Sequence, residues 1–486
     1  MNLLKNILVT LGVIAALLGA WVVWSVRGPA AEFSVEETTG PRPKLAEPDE
    51  QTIPTVRTAD PIGWKDGEAP VAATGLQVTR FADKLEHPRT IFTLPNGDVL
   101  VAETNSPPRN AGGITGAVMG YLFKKVGAGG PSPNKIVLLR DGDGDGKAEQ
   151  RFVMEHPALD SPFGMAWRDG RLLVANHNAV LSFAFTPGQT TLSGTPEKLM
   201  DLPGGGNHWA RNILLTPDGE RLFITVGSAS NIAENGIEEE RGRATIHEYD
   251  FAKKRSREYA GGLRNPNGLD FNPNSEELWT TVNERDMLGP DLVPDYLTNV
   301  PFGGNYGWPW AYWKKNIDWR VKAPMPQYLM DYVRKPEYGL GAHVAPLGLA
   351  FAKAGNRMGE AFRQGAFVAR HGSWNRRPLS GYDVVFVKFD AMGNALPEPP
   401  VPVLTGFLTK DEKARGRPTW VAFAKDGALL VSDDTGGVIW RVIAPGAEPA
   451  PEIKPLPKAT PPPQPKGTGK LIMKPTQDPA MANPAG

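Results

Sequence analysis

The most informative chemical motif of the sequence is a glycine-rich loop that carries a histidine. Residues 204–211 read Gly-Gly-Gly-Asn-His-Trp-Ala-Arg and place His208 just before a predicted strand. Glycines allow the backbone to approach a ligand closely, and a neutral imidazole can act as a general base. A lone loop histidine is more often a surface residue, so this loop by itself leaves the role of His208 open.

Further loops combine arginine with carboxylates. Arg264 and Asn265 stand beside a proline, which suits a bidentate grip on a carboxylate. A nearby predicted metal site comprises Arg285, Asp286 and Asp291, because clustered carboxylates and loop carbonyls suit a hard cation such as calcium. Two later loops contribute Arg370, His371, Arg376, Arg415 and Arg417. Arginines converging on one channel predict a polyanionic ligand, whereas the alternative is a set of solvated charged loops.

A separate acidic run has the spacing of a calcium loop. Asp141, Asp143 and Asp145 occupy its first, third and fifth positions and Gly146 the sixth, but the twelfth position is Phe152 rather than glutamate. A partial structural calcium site and a plain Asp/Gly hairpin both remain open.

The elements that must position these loops recur six times. Each copy has an apolar run, a Pro/Asp/Asn/Gly turn and a short alternating strand, the pattern of a tight hairpin. The copies span residues 93–101, 167–174, 215–224, 271–279, 349–368 and 423–431. Six hairpins predict an all-β, six-bladed β-propeller over residues 72–443, with inserted loops because each unit has about 62 residues. A β-sandwich or two smaller β domains is the alternative.

Composition limits the chemistry. The chain has 486 residues and no cysteine, which excludes disulfides, thiol nucleophiles and covalently attached c-type haem. Redox chemistry would therefore need a bound cofactor. The 53 basic and 53 acidic residues cancel, so nothing in the totals supports attraction to nucleic acid.

The two ends differ from the middle. Ile7–Val26 is an uncharged stretch long enough to cross a bilayer, so residues 1–27 are predicted to be a membrane anchor or, alternatively, a cleaved signal. Residues 28–71 have the composition of a linker, and the proline-rich residues 444–486 that of a disordered tail. We expect a single-pass protein of a bacterial inner membrane with its propeller in the periplasm.

Six ordered motifs carry a family resemblance. They are the loop of His208, residues 262–269, residues 283–286 with 294–297, residues 304–309, residues 371–376, and residues 415–418 with 431–437. This set, within about residues 75–443, resembles the soluble-type pyrroloquinoline quinone (PQQ) sugar dehydrogenases, especially the sorbosone dehydrogenase-like branch. The fold of that family is a six-bladed propeller, in agreement with the hairpin count.

The resemblance implies a mechanism. His208 would remove the hydroxyl proton of a sugar or polyol while a hydride passes to PQQ, and calcium would act as Lewis acid. Arg264 and His371 complete the implied catalytic set. The implied cofactor contacts come from the following side chains: Arg264, Asn265, Arg370, Arg376, Arg415 and Arg417. Electrons would leave to a separate quinone or cytochrome.

Some positions depart from the glucose-oxidising members. Asn207 replaces the acidic residue before the base, and Asp286-Met287 replaces a Gly-Pro pair that supplies calcium-binding carbonyls. The aromatic residue that stacks on PQQ has no counterpart, and Trp308 or Trp374 could take its place. Two other functions stay open: a calcium-dependent propeller lactonase, which the arginines argue against, and a non-enzymatic propeller of the cell envelope.

Overall fold

Every predicted hairpin forms the two inner strands of one blade. The computed structural model describes residues 2–51, 55–107 and 130–457, in which six antiparallel sheets of at least four strands recur. The innermost strands of successive blades contact one another in a closed ring, blade 6 returning to blade 1. The predicted six-bladed β-propeller is therefore confirmed.

The strands of the first three blades follow one another along the chain. Blade 1 consists of Pro88–Thr93, Val99–Glu103, Lys135–Arg140 and Gln150–Glu155. Blade 2 consists of Met165–Arg168, Arg171–Ala175, Ala179–Ala184 and Glu197–Asp201. Blade 3 consists of Ile213–Leu215, Arg221–Val226, Thr245–Asp250 and Arg255–Gly261.

The later blades recruit strands from the N-terminal segment. Blade 4 consists of Pro266–Phe271, Leu278–Val282, Pro294–Asn299 and Tyr338–Ala342, with Thr39–Gly40 at its outer edge. Blade 5 consists of Pro346–Phe351, Gly365–Arg370, Asp383–Lys388 and Val401–Thr405, with Val71–Ala72 at its edge. Blade 6 consists of Pro418–Phe423, Leu429–Asp433 and Val438–Ile443, closed by Gln77–Ala82.

Burial explains the sequence pattern of the strands. The second strand of each blade lies inside its sheet between neighbouring blades, and Val99–Glu103 and Leu278–Val282 are buried at every position. Such strands read as nearly continuous apolar runs. Outer strands such as Glu197–Asp201 face solvent and are polar. Apolar clusters between blades, for example Leu100 with Leu138 and Leu172, form the core.

The N-terminal helix, α1, spans Asn2–Arg27. Its segment Lys5–Arg27 is long and apolar enough to cross a membrane, a property shared by membrane anchors and signal sequences. A second helix, α2, is the single turn Leu329–Tyr332. Short 3-10 helices occur at Glu36–Thr38, Ile237–Glu240 and Glu360–Phe362, and short strand pairs join Asp60–Pro61 to Lys413–Ala414 and Ala311–Tyr312 to Asn316–Ile317.

The segments predicted as linker and tail are corrected where the structure describes them. Within residues 28–71, Thr38 and Thr55 are fully buried against the propeller, and the strands named above join blades 4 and 5. In the tail, Ala450 exchanges backbone hydrogen bonds with Gly355 and Asn356. Residues 458–486 lie outside the described residues. Backbone hydrogen bonds, which composition does not reveal, fix both segments.

Candidate active site

Two sets of loops meet on one face of the propeller. Antiparallel connectivity places the loop before each innermost strand on the same side as the loop after each second strand. We call this side the upper face. It carries the loop of His208, the loop of Arg264 and the residues that follow Val282, Arg370 and Asp433. The predicted motifs are thus gathered on one face although they are far apart in sequence.

A cavity of about 190 Å³ opens there between blades 3, 4 and 5. Its wall is formed by polar groups, two imidazoles and one indole. The lining residues are His208, Arg264, Asn265, Asn283, Glu284, Asp286, Asp295, His343, Ala345, Trp374 and Asn375. Three larger hollows lie at the outer strands, at the lower turns and along the innermost strands, and none of them is lined by His208, Arg264 or Asp286.

The ring of His208 is oriented by Ser228. Its Nδ1 lies 2.9 Å from the carbonyl oxygen and 3.0 Å from Oγ of Ser228. The carbonyl can only accept, and Oγ donates its own hydrogen to the carbonyl of Ser230 at 2.7 Å. Nδ1 must therefore carry the hydrogen, so the neutral ring presents Nε2 as an acceptor. This is the tautomer that a general base needs.

Gly227 allows His208 and Asn265 to lie side by side. A Cβ at Gly227 would stand 2.4 Å from Oδ1 of Asn265 and 2.6 Å from Cβ of His208, so no larger residue fits. Oδ1 of Asn265 is buried and has no hydrogen-bond partner within the described part of the chain. A buried acceptor without a partner is costly, and a ligand that donates a hydrogen or a cation would satisfy it.

Arg264 is saturated by the protein. Its Nε and Nη2 donate to the carbonyl and side-chain oxygens of Asn231, and its Nη1 to the carbonyls of Asn283 and Glu284. Nη2 also pairs with Oδ2 of Asp286 at 2.9 Å. A guanidinium has five N–H groups, and these contacts use all of them. Arg264 therefore joins the loops of blades 3 and 4, and it contributes charge rather than free donors to the cavity.

Asp286 is the centre of a charged network. Asn375 donates to its Oδ1 at 2.7 Å, and Nδ1 of His343 lies 3.5 Å from the same oxygen. Burial opposes ionisation, but Arg264 and His343 outweigh it and hold the pKa of Asp286 well below its usual range. Burial acts to lower the pKa of His343, but Asp286, Asp295 and the carbonyl of Gly289 together raise it above the ordinary value. Asp286 is therefore an anion.

Two other carboxyl groups of the cavity have raised rather than lowered pKa values. Burial raises the pKa of Glu284 to about 7, and it raises the pKa of Asp295 to about 7. Oδ1 of Asp295 accepts the backbone N–H of Glu284 at 2.8 Å, and Oδ2 accepts that of Ala345 at 2.8 Å. Both groups titrate near neutrality, so a bound cation would favour their ionised forms.

The predicted metal site of Arg285, Asp286 and Asp291 is corrected, because only Asp286 lines the cavity. The guanidinium of Arg285 is buried against the carboxylate of Asp318 and the carbonyl of Asp286. Asp291 is buried in an ion pair with Arg376 at 2.9 Å, and its other oxygen accepts backbone N–H groups of the N-terminal segment. These contacts stabilise loops and leave neither side chain for a metal in the cavity.

Arg370 and Arg376 also belong to the propeller framework rather than to the cavity. Arg370 makes a bidentate pair with Asp383 at 2.7 and 2.5 Å and donates to the carbonyl of Leu340. Arg376 donates to the carbonyls of Pro290, Pro378 and Phe33 in addition to Asp291. The convergence of free arginines inferred from the sequence is thus largely absent among the described residues, because buried carboxylates and carbonyls neutralise them.

A second cluster lies beside the cavity, around Asp434. Its Oδ2 contacts Nε2 of His371 at 2.8 Å and the guanidinium of Arg89. Burial and then Arg417 lower the pKa of His371 to about 3, so this histidine is neutral. His371 does not line the cavity with His208. Arg417 donates through Nε and Nη2 to the carbonyls of His371 and Gly372, and Arg415 is half-exposed near Glu68.

Several residues of the site have no role predicted from the sequence. Glu284, Asp295, His343 and Asn375 line the cavity, and Ser228 orients His208. His343 occupies the loop before an innermost strand, as His208 and Arg264 do, so the repeat could have marked it. Of the two tryptophans considered as stacking residues, Trp374 lines the cavity, whereas Trp308 is buried with its Nε1 on the carbonyl of Asn231.

The acidic loop lies elsewhere. Asp141, Asp143 and Asp145 are joined by Glu149, and one carboxylate oxygen of each lies within 4.8 Å of the others. Several of these oxygens accept backbone N–H groups of the same loop. The loop connects the third and fourth strands of blade 1 on the lower face, remote from the cavity. Glu149, at the ninth position of the loop, was not identified from the sequence.

Comparisons with known proteins agree with the resemblance. The chain is 32% identical over 365 residues to an uncharacterized protein of Borreliella burgdorferi, covering 72% of this chain and 90% of that protein. It is 25% identical over 429 residues to the pyrroloquinoline quinone-dependent pyranose dehydrogenase of Coprinopsis cinerea, covering 76% of this chain but only 54% of that enzyme. The PQQ domain of the Coprinopsis enzyme superimposes with a TM-score of 0.59 at 20% identity, covering 80% of this chain and all of that domain.

The family model described as TrAA12-like matches residues 135–294 and 329–444, together more than half of the chain. These matches contain the four main strands of blades 2, 3 and 5 and parts of the other three blades. The predicted kinship with PQQ-dependent sugar dehydrogenases is confirmed at the level of the family. This propeller protein belongs to the TrAA12-like family.

Proposed function

We propose that this protein is an oxidoreductase that oxidises a CH–OH group of a sugar or polyol with PQQ as its cofactor. The observation that carries the proposal is the orientation of His208, whose Nε2 is an acceptor in a cavity it shares with Asn265 and Trp374. The Coprinopsis relative, a PQQ-dependent pyranose dehydrogenase, supports the substrate class.

His208 is the general base. Its Nε2 accepts the hydroxyl proton of the substrate, and the resulting imidazolium keeps its Nδ1 hydrogen bonds to Ser228. Because the carbonyl of Ser228 accepts in both states, the ring does not have to turn when it gains the proton. Proton transfer by such a base typically contributes about 10²–10⁴ to the rate.

The residues suited to hold PQQ are only some of those predicted from the sequence. The buried Oδ1 of Asn265 lacks a partner among the described residues, the indole of Trp374 offers an apolar wall, and Arg417 lies beside Trp374 in an adjoining pocket. When bound, PQQ supplies the two-electron oxidising capacity that no side chain of this chain has. Trp374 would pack on its ring system, and Arg417 would face a carboxylate.

Calcium fits the same cavity. Glu284, Asp286 and Asp295 line it together with Asn265, and these are hard oxygen donors. Calcium would supply Lewis acidity to the bound cofactor, and its charge would compensate the carboxylates that burial now disfavours. Arg264 and His343 keep Asp286 ionised before any cation arrives.

The proposal is tested by reconstitution. Full-length protein in detergent is mixed with PQQ and calcium, and reduction of a soluble dye is followed with aldoses, sorbosone and polyols. We expect turnover with some of these substrates, loss of at least 10²-fold with His208→Ala, and little change with His156→Ala. His156 contacts the carbonyl of Gly194 in blade 2 and does not line the cavity, so it is a matched control. Dye reduction that survives His208→Ala would contradict the assignment of the base.

A calcium-dependent hydrolase is the second candidate. A cavity lined by three carboxylates also suits a cation that activates water. The two functions differ in their need for PQQ, because lactone hydrolysis moves no electrons. Hydrolysis of sugar lactones by the calcium-loaded protein without PQQ, together with no dye reduction, would favour the hydrolase.

A further inference from the structure

The end of α1 is fixed to the upper face. The backbone N–H of Val56 donates to the carbonyl of Val26 at 2.9 Å, and Gly28 packs so closely on Thr55 that a Cβ would stand 1.9 Å from Oγ1. The next residue, Arg57, donates its backbone N–H to the carbonyl of Trp374 at 2.7 Å. One residue spans about 3.8 Å, so α1 ends within roughly 10 Å of the backbone of a cavity residue.

The segment that follows α1 is hydrogen-bonded to the propeller. The backbone N–H of Ala31 donates to the carbonyl of Arg377 at 2.7 Å, and those of Glu32 and Phe33 donate to Asp291 at 2.6 and 3.1 Å. Asp291 is itself held by the buried Arg376. Four residues from Arg27 to Ala31 can extend over about 14 Å at most. The propeller therefore cannot move far from whatever surface α1 enters.

An exposed tryptophan stands on the same rim. Trp319 is 83% exposed and belongs to the insertion of residues 300–337 in blade 4. Its neighbour Arg320 reaches the upper face, where it donates to the carbonyl of Met287 and pairs with Glu50 of the N-terminal segment. Tryptophan and tyrosine are the residues most favoured at the boundary between lipid and water.

We propose that α1, as a retained membrane anchor, holds the upper face toward the bilayer, so that the cavity delivers electrons to a quinone dissolved in the lipid. This inference rests on the proposed function. Oxidation of CH–OH to C=O releases two electrons and two protons, and one quinone takes up both pairs to become a quinol. The electrons and protons balance without a further reactant. Residues 28–71, predicted as a linker, would thus hold the propeller close to the membrane rather than separate the two.

The orientation is tested without activity. The chain has no cysteine, so each introduced cysteine is a unique labelling site. Full-length Trp319→Cys and Met392→Cys carry the same fluorophore in vesicles that contain a headgroup nitroxide lipid. Met392 is 62% exposed in a turn between the third and fourth strands of blade 5, on the lower face. We expect at least threefold stronger quenching at position 319. Equal quenching, or stronger quenching at position 392, would overturn the proposed orientation.

The acceptor is tested with an insertion. Thirty Gly/Ser residues between Arg27 and Gly28 lengthen the connection, and the same insertion between the exposed Ser193 and Gly194 on the lower face is the control. With sugar as donor, we expect reduction of a lipid-soluble benzoquinone in vesicles to fall at least fivefold only for the first insertion, while dye reduction is unchanged. Unchanged quinone reduction would overturn the proposed acceptor. Absence of dye reduction in every variant would instead refute the proposed function and leave the quenching result standing.

Discussion

His208 donates the hydrogen of Nδ1 to the carbonyl oxygen of Ser228, 2.9 Å away. The acceptor is a backbone carbonyl, and the residue before the base is Asn207 rather than an acidic residue. A carbonyl fixes the tautomer without placing a negative charge beside the imidazole.

The first prediction concerns Ser228. Removing its hydroxyl in Ser228→Ala leaves the carbonyl acceptor in place, so we expect kcat to fall by less than about tenfold, against about 10²-fold or more for His208→Ala. Steady-state dye reduction at saturating sugar measures both. Equal losses for the two variants would mean that the hydroxyl, rather than the carbonyl, orients the base.

The second prediction concerns Arg264. Truncation in Arg264→Ala leaves Asp286 buried without its main cation, and breaking a buried pair costs about 3–5 kcal/mol. The control Arg415→Ala removes a half-exposed group 3.6 Å from Glu68 and should change the free energy of unfolding by less than about 1 kcal/mol. Urea unfolding followed by tryptophan fluorescence gives both values. Similar small effects would show that Arg264 does not stabilise the loops.

The third prediction concerns stability and pH. Burial raises the pKa of Glu284 from 4.5 to about 7. The folded state therefore binds a proton more tightly than the unfolded state, so this group stabilises the fold most below pH 4.5 and the stabilisation is lost as the pH rises to about 7. Glu284→Gln should have a free energy of unfolding that falls less between pH 5 and pH 7 than that of the unaltered protein. Parallel curves would refute the raised pKa.

The fourth prediction concerns calcium. Because Glu284 and Asp295 both titrate near pH 7, calcium bound at the cavity must displace protons at lower pH. Affinity in the presence of PQQ should rise about tenfold or more from pH 6 to pH 8 in calorimetric titrations. Asp141→Asn, in the acidic loop of the lower face, should leave this dependence intact. A pH-independent affinity would place calcium away from these carboxyl groups.

The fifth prediction concerns Trp374. If its indole packs on the cofactor, Trp374→Ala should weaken PQQ binding about tenfold, the size expected for a lost aromatic contact. Trp319→Ala removes an exposed indole outside the cavity and should leave PQQ affinity unchanged. Absorbance titration of the two variants makes the comparison.

The fold was predictable because its signal is local. An Asp-Gly or Asn-Gly turn specifies a hairpin within about ten residues, and six such hairpins define the propeller without knowledge of distant contacts. His208 and Asn265 were predictable from local signals too, since glycines precede the one and a proline follows the other.

The arginines were harder to interpret because their partners are not local. Arg376 pairs with Asp291, 85 positions away, and no pattern in the sequence joins them. Arg370 is the exception: it is the direct cross-strand neighbour of Asp383, so pairing the strands would have revealed its carboxylate. The composition of the N-terminal segment predicts a linker, whereas the contacts that fix it are made by its backbone and leave no compositional pattern.

The measurement that tests the central claim most directly is a single turnover. Full-length protein and His208→Ala are each loaded with PQQ and calcium, mixed with excess of a sugar that supports turnover, and followed by the absorbance of the quinone. We predict that both proteins bind PQQ with similar affinity, and that sugar bleaches the quinone at least 10²-fold more slowly in His208→Ala. The account would be contradicted if neither protein bound PQQ, or if both were bleached at the same rate.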